Sequence, residues 1–251
     1  MLAIIGGSSL DTLAALERPQ RIAVNTPYGA PSAPLIRGVL NQREVIFLAR
    51  HGENHSVPPH KINYRANLWA LHAQQVTHVL AVVTVGGIGS DFSAGTLAVP
   101  DQLIDYTWGR ASTFYDGEAG EHRGVVRHID FTRPYDEGLR LQLLRAAQRI
   151  QVAVHDGGTY ACTQGPRLET AAEIQRLARD GAHVVGMTAM PEAALARELG
   201  LPYAAIALVV NAAAGTGVSA QAINLAAAQT LAHTAMARVV RLLMEMAADG
   251  D

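Results

Sequence analysis

The chain contains 251 residues, of which 49% are hydrophobic and 17% are charged. Such a composition can bury a sizeable core and excludes a disordered chain. The 20 basic and 22 acidic side chains leave a formal net charge of −2, which argues against nucleic-acid binding. A lone cysteine, Cys162, excludes an internal disulfide and a cysteine-rich metal site. Because residues 1–11 lack the features of a signal peptide and no apolar run approaches about 20 residues, we expect a cytoplasmic protein that binds no membrane.

Five short apolar runs are predicted to form β-strands that are covered on both faces. Each stops at a glycine or a polar residue, and together they occupy residues 2–5, 45–49, 79–85, 183–187 and 203–210. Helices are predicted between and after these strands, at residues 62–75, 136–149, 168–180, 191–199 and roughly 219–247. The alternation predicts an α/β fold with a mixed, mostly parallel central sheet flanked by helices. Since no repeat, linker or change in composition interrupts the chain, we expect a single domain over residues 1–251.

Residues suited to binding an anion follow three of the predicted strands. The glycine-serine turn at residues 6–9 exposes backbone N–H groups and hydroxyls, although a plain tight turn explains it equally well. A second glycine-rich turn follows the strand that contains Thr84, and it does not match a dinucleotide fingerprint. Arg50 and His51 end a third strand, where α/β sheets gather ligands, and they offer a guanidinium and a second donor to a phosphate.

The third of these segments also permits a different hypothesis, a metal site. Its candidate ligands are His51, Glu53, His55 and His60. Two histidines four apart on a helix would suit zinc, but a glycine at 52 and prolines at 58 and 59 argue against a helix here. We therefore predict no metal, and a metal-dependent hydrolase stays an alternative hypothesis. A nucleotide-binding module without catalysis is another.

Polar side chains also follow apolar runs in the second half of the chain. Glu169 and Glu173 are predicted one turn apart in a helix, where acidic residues are ordinary partners of the helix dipole. Met187, at the end of a strand, is explained by core packing, and Thr188 follows it. Asn211 ends the next strand abruptly, so it is either hydrogen-bonded within the fold or directed at a ligand. Together these positions are typical of an open α/β ligand site.

The order of motifs over residues 4–215 resembles the trimeric purine nucleoside phosphorylase and methylthioadenosine phosphorylase family. The motifs are IIGGSSL, RHGENHSVPPHKINYRAN, TVGGIGS, DQLIDYTWGRASTFYDG, GPRLETAAE, VGMTAMPEAALARELGL and VVN. The block that begins with RHG is closer to the methylthio-nucleoside branch. The resemblance implies a nucleoside phosphorylase fold, a homotrimer, and transfer of a ribosyl group from a purine to inorganic phosphate. Phosphate is then a co-substrate, and neither a metal nor an organic cofactor is expected.

The resemblance also implies a phosphate-binding set. Ser8, Arg50, His51 and Thr188 match its side chains, and the backbone near Thr84 completes it. This assignment agrees with the donors expected from the residues themselves, since hydroxyls, a guanidinium and turn N–H groups can converge on one anion.

The positions that face the nucleoside separate two classes of purine. Met187 matches a methionine packed against the ribose, and Asn211 and Glu169 match the catalytic positions that face the base. Adenine-specific members carry aspartates where this chain has Asn211 and Ala213, and a small hydroxyl residue in place of Glu169. The chain thus follows the 6-oxopurine pattern. The Glu169 carboxylate can accept N1–H of hypoxanthine, and the Asn211 amide can donate to O6 and accept from N7–H.

The resemblance also bears on the 5′ end of the nucleoside. Purine nucleoside phosphorylases bond the 5′-hydroxyl with a histidine about fourteen residues after the asparagine, and residues 222–228 contain none. An apolar wall there favours a 5′-methylthio group. His128 is a candidate to reach a neighbouring subunit's nucleoside, although a surface or packing role explains it equally well. The main hypothesis is phosphorolysis of 5′-methylthioinosine to hypoxanthine. Phosphorolysis of methylthioadenosine or of 6-oxopurine nucleosides in general stays open.

Overall fold

The computed structural model describes residues 1–117 and 124–248. All five predicted strands are present, as β1, β4, β5, β10 and β11, and the described residues contain six further strands that the sequence analysis did not predict. The strands are β1 (Leu2–Gly6), β2 (Glu17–Ile22), β3 (Leu35–Leu40), β4 (Arg43–Ala49), β5 (His78–Gly87), β6 (Leu97–Val99), β7 (Gln102–Asp105), β8 (His155–Asp156), β9 (Thr159–Cys162), β10 (Val184–Gly186) and β11 (Tyr203–Ala212).

The described strands form one mixed sheet whose centre is parallel. Strand β1 lies between β4 and β5, and β5 also pairs with β11, all in parallel. The hydrogen-bonded order is β2-β3-β4-β1-β5-β10-β9-β7, and β11 connects β5 to β6 and β8. Antiparallel pairs occur where β3 meets β4 and where β10 meets β5. The predicted fold class, a mixed and mostly parallel sheet flanked by helices, is confirmed.

The helices are close to the predicted ranges, with later starts in four of them and an earlier start in α4. They are α1 (Tyr64–Ala73), α2 (Glu137–Arg149), α3 (Ala171–Arg179), α4 (Ala189–Glu198) and α5 (Leu225–Ala248). Helix α3 begins after Thr170, whose hydroxyl accepts the backbone N–H of Glu173 while the Glu173 carboxylate accepts that of Thr170. Glu169 therefore lies outside the helix, and the prediction that Glu169 and Glu173 share a helix is wrong.

The core lies on both faces of the central strands. Ile4, Ile46, Leu80 and Ile206 are fully buried in β1, β4, β5 and β11, and helices α1, α2, α4 and α5 bring apolar residues against them. The interiors of these strands are apolar along their whole length because each face of the sheet is covered. Among the described residues, no helix combines the length and the hydropathy that a membrane crossing requires.

Candidate active site

A cavity of about 920 Å³ opens at the carboxyl ends of β1, β4, β5 and β11. This volume can hold a small molecule such as a nucleoside with a phosphate. Eight of the nine predicted site residues line it, namely Ser8, Arg50, His51, Thr84, Glu169, Met187, Thr188 and Asn211. The ninth, His128, is exposed and does not line the cavity within one chain.

Strand direction explains how residues far apart in sequence meet here. The parallel strands β1, β4, β5 and β11 end at the same edge, which brings Ser8, Arg50 and Asn211 to one opening. Strand β10 runs antiparallel to β5, with Val184 paired to Gly87 and Val185 to Gly86. The chain thus leaves β10 beside the interior of β5 and carries Met187 and Thr188 deeper into the cavity.

The turn after β1 requires glycine because it passes close to its neighbours. A Cβ added to Gly7 would lie 2.5 Å from the Val82 carbonyl oxygen and 2.9 Å from Nη1 of Arg50. Ser8 follows this close approach and is half-buried. Its Oγ lies 3.5 Å from Nε2 of His55, a long contact that leaves the hydroxyl able to turn towards a ligand.

Arg50 is held by a buried carboxylate. Its Nε and Nη2 donate to the two oxygens of Glu192 at 2.7 and 2.8 Å, and Nη1 donates to the Val82 carbonyl at 3.0 Å. Both side chains of the pair are 0% exposed, and Tyr203 donates to the same carboxylate at 2.8 Å. Burial alone would lower the pKa of Arg50, but the charge and hydrogen bonds of Glu192 outweigh burial and raise it. Two of the five guanidinium N–H groups take part in none of these bonds, and Arg50 is among the residues that line the cavity.

His51 is buried next to this ion pair and is neutral. Burial first, and then the charge of Arg50, lower its pKa from 6.5 to about 4. Its Nδ1 lies 2.9 Å from the Val57 carbonyl oxygen, so the ring proton belongs on Nδ1 and Nε2 is an acceptor. With this tautomer, Nε2 offers a phosphate hydroxyl a hydrogen-bond acceptor, whereas the sequence analysis expects a second donor.

Two threonines complete the anion-binding end of the cavity. Thr188 is buried immediately before α4, and its backbone N–H donates to Tyr160 Oη at 3.4 Å. Thr84 is half-buried in β5, paired in register with Leu208. Both residues line the cavity with Arg50. This end therefore combines one buried cation with hydroxyl and backbone groups, a set that suits an oxyanion.

The alternative metal site is not formed by its four candidate ligands. Glu53 is paired with Arg21 at 2.6 Å and is 52% exposed. The His51 ring lies 4.4 Å from that of His55, but its Nδ1 is directed at a carbonyl. Over residues 1–117 and 124–248, no group of three or more histidine, cysteine, aspartate or glutamate side chains is arranged to hold a metal ion.

Glu169 and Asn211 also line the cavity, and both are half-buried. Oε1 of Glu169 accepts a 2.6 Å hydrogen bond from the hydroxyl of Thr163. Asn211 sits at a register shift of β11 and donates from Nδ2 to the Ala212 carbonyl at 2.7 Å. This bond directs the amide and leaves Oδ1 as an acceptor and one N–H as a donor for a ligand.

Arg110 is a residue of this region that the sequence analysis did not single out. Its Nη1 donates to the carbonyls of Met187 and Met190 at 2.9 and 2.5 Å. Its Nη2 donates to the carbonyls of Thr163 and Gln164 at 3.3 and 2.9 Å. One side chain thus joins the loop that carries Glu169 to the loop that carries Met187. Arginine within the motif DQLIDYTWGRASTFYDG was the only sequence signal for this role.

The start of α5 forms the remaining wall. Its cavity-lining residues are Ile223, Leu225, Ala228, Gln229, Ala232 and His233. The expected apolar wall at residues 222–228 is present, but the same helix also brings an imidazole into the lining one turn later. This wall therefore contains a histidine, His233, although residues 222–228 contain none, because a helix returns to the same face after three or four residues.

A protein-family model described as the phosphorylase superfamily matches residues 1–245. The chain belongs to this superfamily. The family resemblance inferred from the sequence motifs is confirmed. The superfamily assignment agrees with the position of the cavity at the carboxyl ends of parallel strands.

Curated relatives of this phosphorylase superfamily chain have names that agree with the main hypothesis. A probable S-methyl-5′-thioinosine phosphorylase of Xanthomonas campestris pv. campestris is 53% identical over 246 residues, which cover 98% of this chain and 96% of the relative. The 6-oxopurine nucleoside phosphorylase of Pyrococcus furiosus is 48% identical over 85% of this chain and 80% of its own length. Among solved structures, a methylthioadenosine phosphorylase from Schistosoma mansoni in complex with adenine has a TM-score of 0.92 at 31% identity, over 98% of this chain and 90% of that one.

Proposed function

We propose that the protein is a purine nucleoside phosphorylase that converts 5′-methylthioinosine and phosphate into hypoxanthine and 5-methylthioribose 1-phosphate. The observation that carries the proposal is that Glu169 and Asn211 line the same cavity as Arg50, His51 and Thr188. An anion site alone would suit many enzymes. A carboxylate and an amide opposite that site match the donors and acceptors of a 6-oxopurine.

In the proposed reaction, phosphate is positioned first and stabilises the charge that develops on the sugar. The N–H groups of Arg50 that Glu192 and Val82 leave unused bind phosphate oxygens, and Nε2 of His51 accepts a hydrogen bond from the phosphate hydroxyl. As the bond between C1′ and N9 breaks, C1′ becomes cationic and the adjacent phosphate oxygen attacks it. The new C1′–O bond replaces the C1′–N9 bond, so no covalent enzyme intermediate is formed. We expect neither a metal nor an organic cofactor.

The purine takes the electron pair of the broken bond and a proton from water at N7, while the attacking hydrogen phosphate gives its own proton to water, so hypoxanthine leaves as a neutral base. Oδ1 of Asn211 accepts a hydrogen bond from N7–H, and its amide N–H donates to O6. The Glu169 carboxylate accepts N1–H. With adenine the same carboxylate would face the lone pair of N1, which leaves a buried polar group unpaired.

The direct test is to assay methylthioinosine, methylthioadenosine and inosine side by side, with and without phosphate. We expect phosphate-dependent release of hypoxanthine from methylthioinosine with the highest kcat/KM. Equal base release in phosphate-free buffer would contradict the phosphorylase proposal. Ser8→Ala is the suitable variant at the anion site, since Arg50→Ala would strand Glu192 in the core. We expect Ser8→Ala to raise the KM for phosphate about tenfold.

A general 6-oxopurine nucleoside phosphorylase is the second candidate, and His233 favours it. An imidazole and the amide of Gln229 in the cavity lining can bond a 5′-hydroxyl, whereas Leu225 and Ala228 suit a methylthio group. Comparable kcat/KM values for inosine and methylthioinosine would select this candidate. Chelator-sensitive hydrolysis without phosphate would contradict both.

We further propose a homotrimer in which His128 reaches the nucleoside of a neighbouring subunit. Support comes from exposed apolar side chains, since Trp108 is 73% exposed and Val126 is 81% exposed in the single chain, and from the exposure of His128. Sedimentation velocity tests the assembly, and His128→Ala tests the shared site. A stable monomer with full activity would contradict both parts.

A further inference from the structure

The hydroxyl of Thr163 connects Glu169 to the central sheet. Thr163 immediately follows β9, and its backbone N–H donates to the Gly186 carbonyl at 2.8 Å, which continues the pairing of β9 with β10. Its Oγ1 lies 2.6 Å from Oε1 of Glu169 and 3.3 Å from the Gly186 carbonyl oxygen. A threonine hydroxyl has one proton, and the shorter contact to a charged acceptor receives it.

The connection matters because Glu169 lies in a loop. It precedes Thr170, the first residue of the α3 capping box, and so no helical hydrogen bonds fix its backbone. A free glutamate side chain loses considerable rotamer entropy when it is held in one geometry. Within residues 1–117 and 124–248, Oε1 is bonded by Thr163 whereas Oε2 has no hydrogen-bond partner. The carboxylate thus presents one oxygen to the cavity, while Thr163 itself does not line it.

We propose that Thr163 is a positioning residue that sets the base specificity of the enzyme. Its hydroxyl holds one oxygen of Glu169, so that the other is already directed at N1–H of a 6-oxopurine when the nucleoside binds. The inference rests on the proposed function, since it assigns Glu169 to the base. A base without N1–H gains nothing from this arrangement, and the hydroxyl therefore contributes to the choice between 6-oxopurines and adenine.

The test compares Thr163→Val, which removes the hydroxyl and keeps the shape, with Thr163→Ser, which keeps the hydroxyl. We expect Thr163→Val to lower kcat/KM for methylthioinosine about tenfold and to weaken hypoxanthine binding in calorimetry by a similar factor. The kcat/KM for methylthioadenosine and the KM for phosphate should change less than about threefold. Thr163→Ser should stay within about threefold of the wild type for every substrate. Thr163→Ala is a second removal of the hydroxyl.

A merely structural role would give a different pattern. Thr77→Val is the matched control, because it removes a hydroxyl that donates to the Met1 carbonyl outside the cavity lining. We expect it to change stability without changing the ratio of kcat/KM for the two nucleosides. An unchanged ratio in Thr163→Val and Thr163→Ala, an equal loss on both nucleosides, or a Thr163→Ser variant as impaired as Thr163→Val would each overturn the inference.

Glu169→Gln separates the inference from the proposed function. If Glu169→Gln abolishes the preference for methylthioinosine and Thr163→Val leaves it intact, the inference fails and the proposed function stands. If Glu169→Gln leaves the preference and hypoxanthine affinity unchanged, Glu169 does not contact the base, and both fail. If both variants lower hypoxanthine affinity and Thr163→Ser restores it, both are supported.

Discussion

The two ends of the cavity are built in different ways. At the anion end, Arg50 and Glu192 are both 0% exposed and form a bidentate ion pair that Tyr203 extends. At the purine end, Glu169 and Asn211 are half-buried and are held by single hydrogen bonds to Thr163 and Ala212. One end is continuous with the protein core, and the other is formed by a loop and the end of a strand.

Because of this difference, substitutions at the two ends should affect different properties: the stability of the fold at one end and the choice of base at the other. Removing one member of a buried ion pair costs stability, whereas changing a half-buried side chain costs little. We therefore expect substitutions at the anion end to affect both folding and catalysis, and those at the purine end to affect mainly the choice of base. Superfamily members named for methylthioinosine, 6-oxopurine nucleosides and methylthioadenosine are consistent with a common core and a variable base pocket.

The largest expected effect on stability is that of Glu192→Ala. It would leave the charge of Arg50 buried with no counter-charge, which costs about 3–5 kcal/mol of unfolding free energy. Urea unfolding measures this cost. The matched control is the double variant Arg50→Met with Glu192→Leu, which should recover most of the stability but not the use of phosphate. A cost below about 1 kcal/mol in the single variant would show that the pair is not part of the core as we describe it.

The base preference should change strongly without a loss of folding. Asn211→Asp places a carboxylate beside O6 of hypoxanthine, and the two oxygens repel each other. With adenine, the same carboxylate accepts a hydrogen bond from the amine at C6. The gain in kcat/KM for methylthioadenosine stays partial as long as the Glu169 carboxylate faces the lone pair of N1. The double variant Glu169→Ser with Asn211→Asp should therefore shift the ratio of kcat/KM for the two methylthio-nucleosides about a hundredfold, more than either change alone. Kinetics of the three variants on both methylthio-nucleosides measure it. An unchanged preference in the double variant, with phosphate use intact, would mean that the purine binds elsewhere.

The pH dependence of stability should carry a contribution from His51 at the anion end. Since burial and Arg50 lower the pKa of His51 from 6.5 to about 4, the unfolded chain binds a proton in this range that the folded chain does not. The free energy of unfolding should therefore fall as the pH drops through this window, by at most about 1.4 kcal/mol per pH unit from this residue. Urea unfolding of the wild type and of His51→Gln at pH 7, 6 and 5 gives the change of the free energy of unfolding with pH for each protein. Identical slopes would contradict the assignment of a neutral buried ring.

The smallest expected effect concerns the wall formed by α5. His233→Leu should leave kcat/KM for methylthioinosine within about twofold and lower that for inosine about tenfold, because the 5′-hydroxyl loses a hydrogen-bond partner. Thr230→Val is a control on the same helix, outside the cavity lining. A proportional loss on both substrates would show that the imidazole serves another part of the nucleoside.

The sequence was most informative where function depends on local motifs. The family resemblance of its motifs identified eight residues that line one cavity, and several of them follow strands that run parallel and end on the same side of the sheet. It was least informative about helix starts and protonation. Glu169 was expected within α3, but the capping box begins at Thr170. His51 was expected to donate, but its proton is directed at Val57. Both depend on which backbone group lies within reach.

The sequence by itself determined the superfamily, the α/β architecture and the residues that line the cavity, because each is encoded in short contiguous segments. Only the tertiary structure decided the partners of those residues. Arg50 meets Glu192, which is 142 positions away, and Thr163 meets Glu169 across a loop. His233 joins the cavity from the last helix. Such contacts follow from the packing of distant segments against one sheet, and hydrophobic periodicity carries no record of which side chains then come within hydrogen-bond distance.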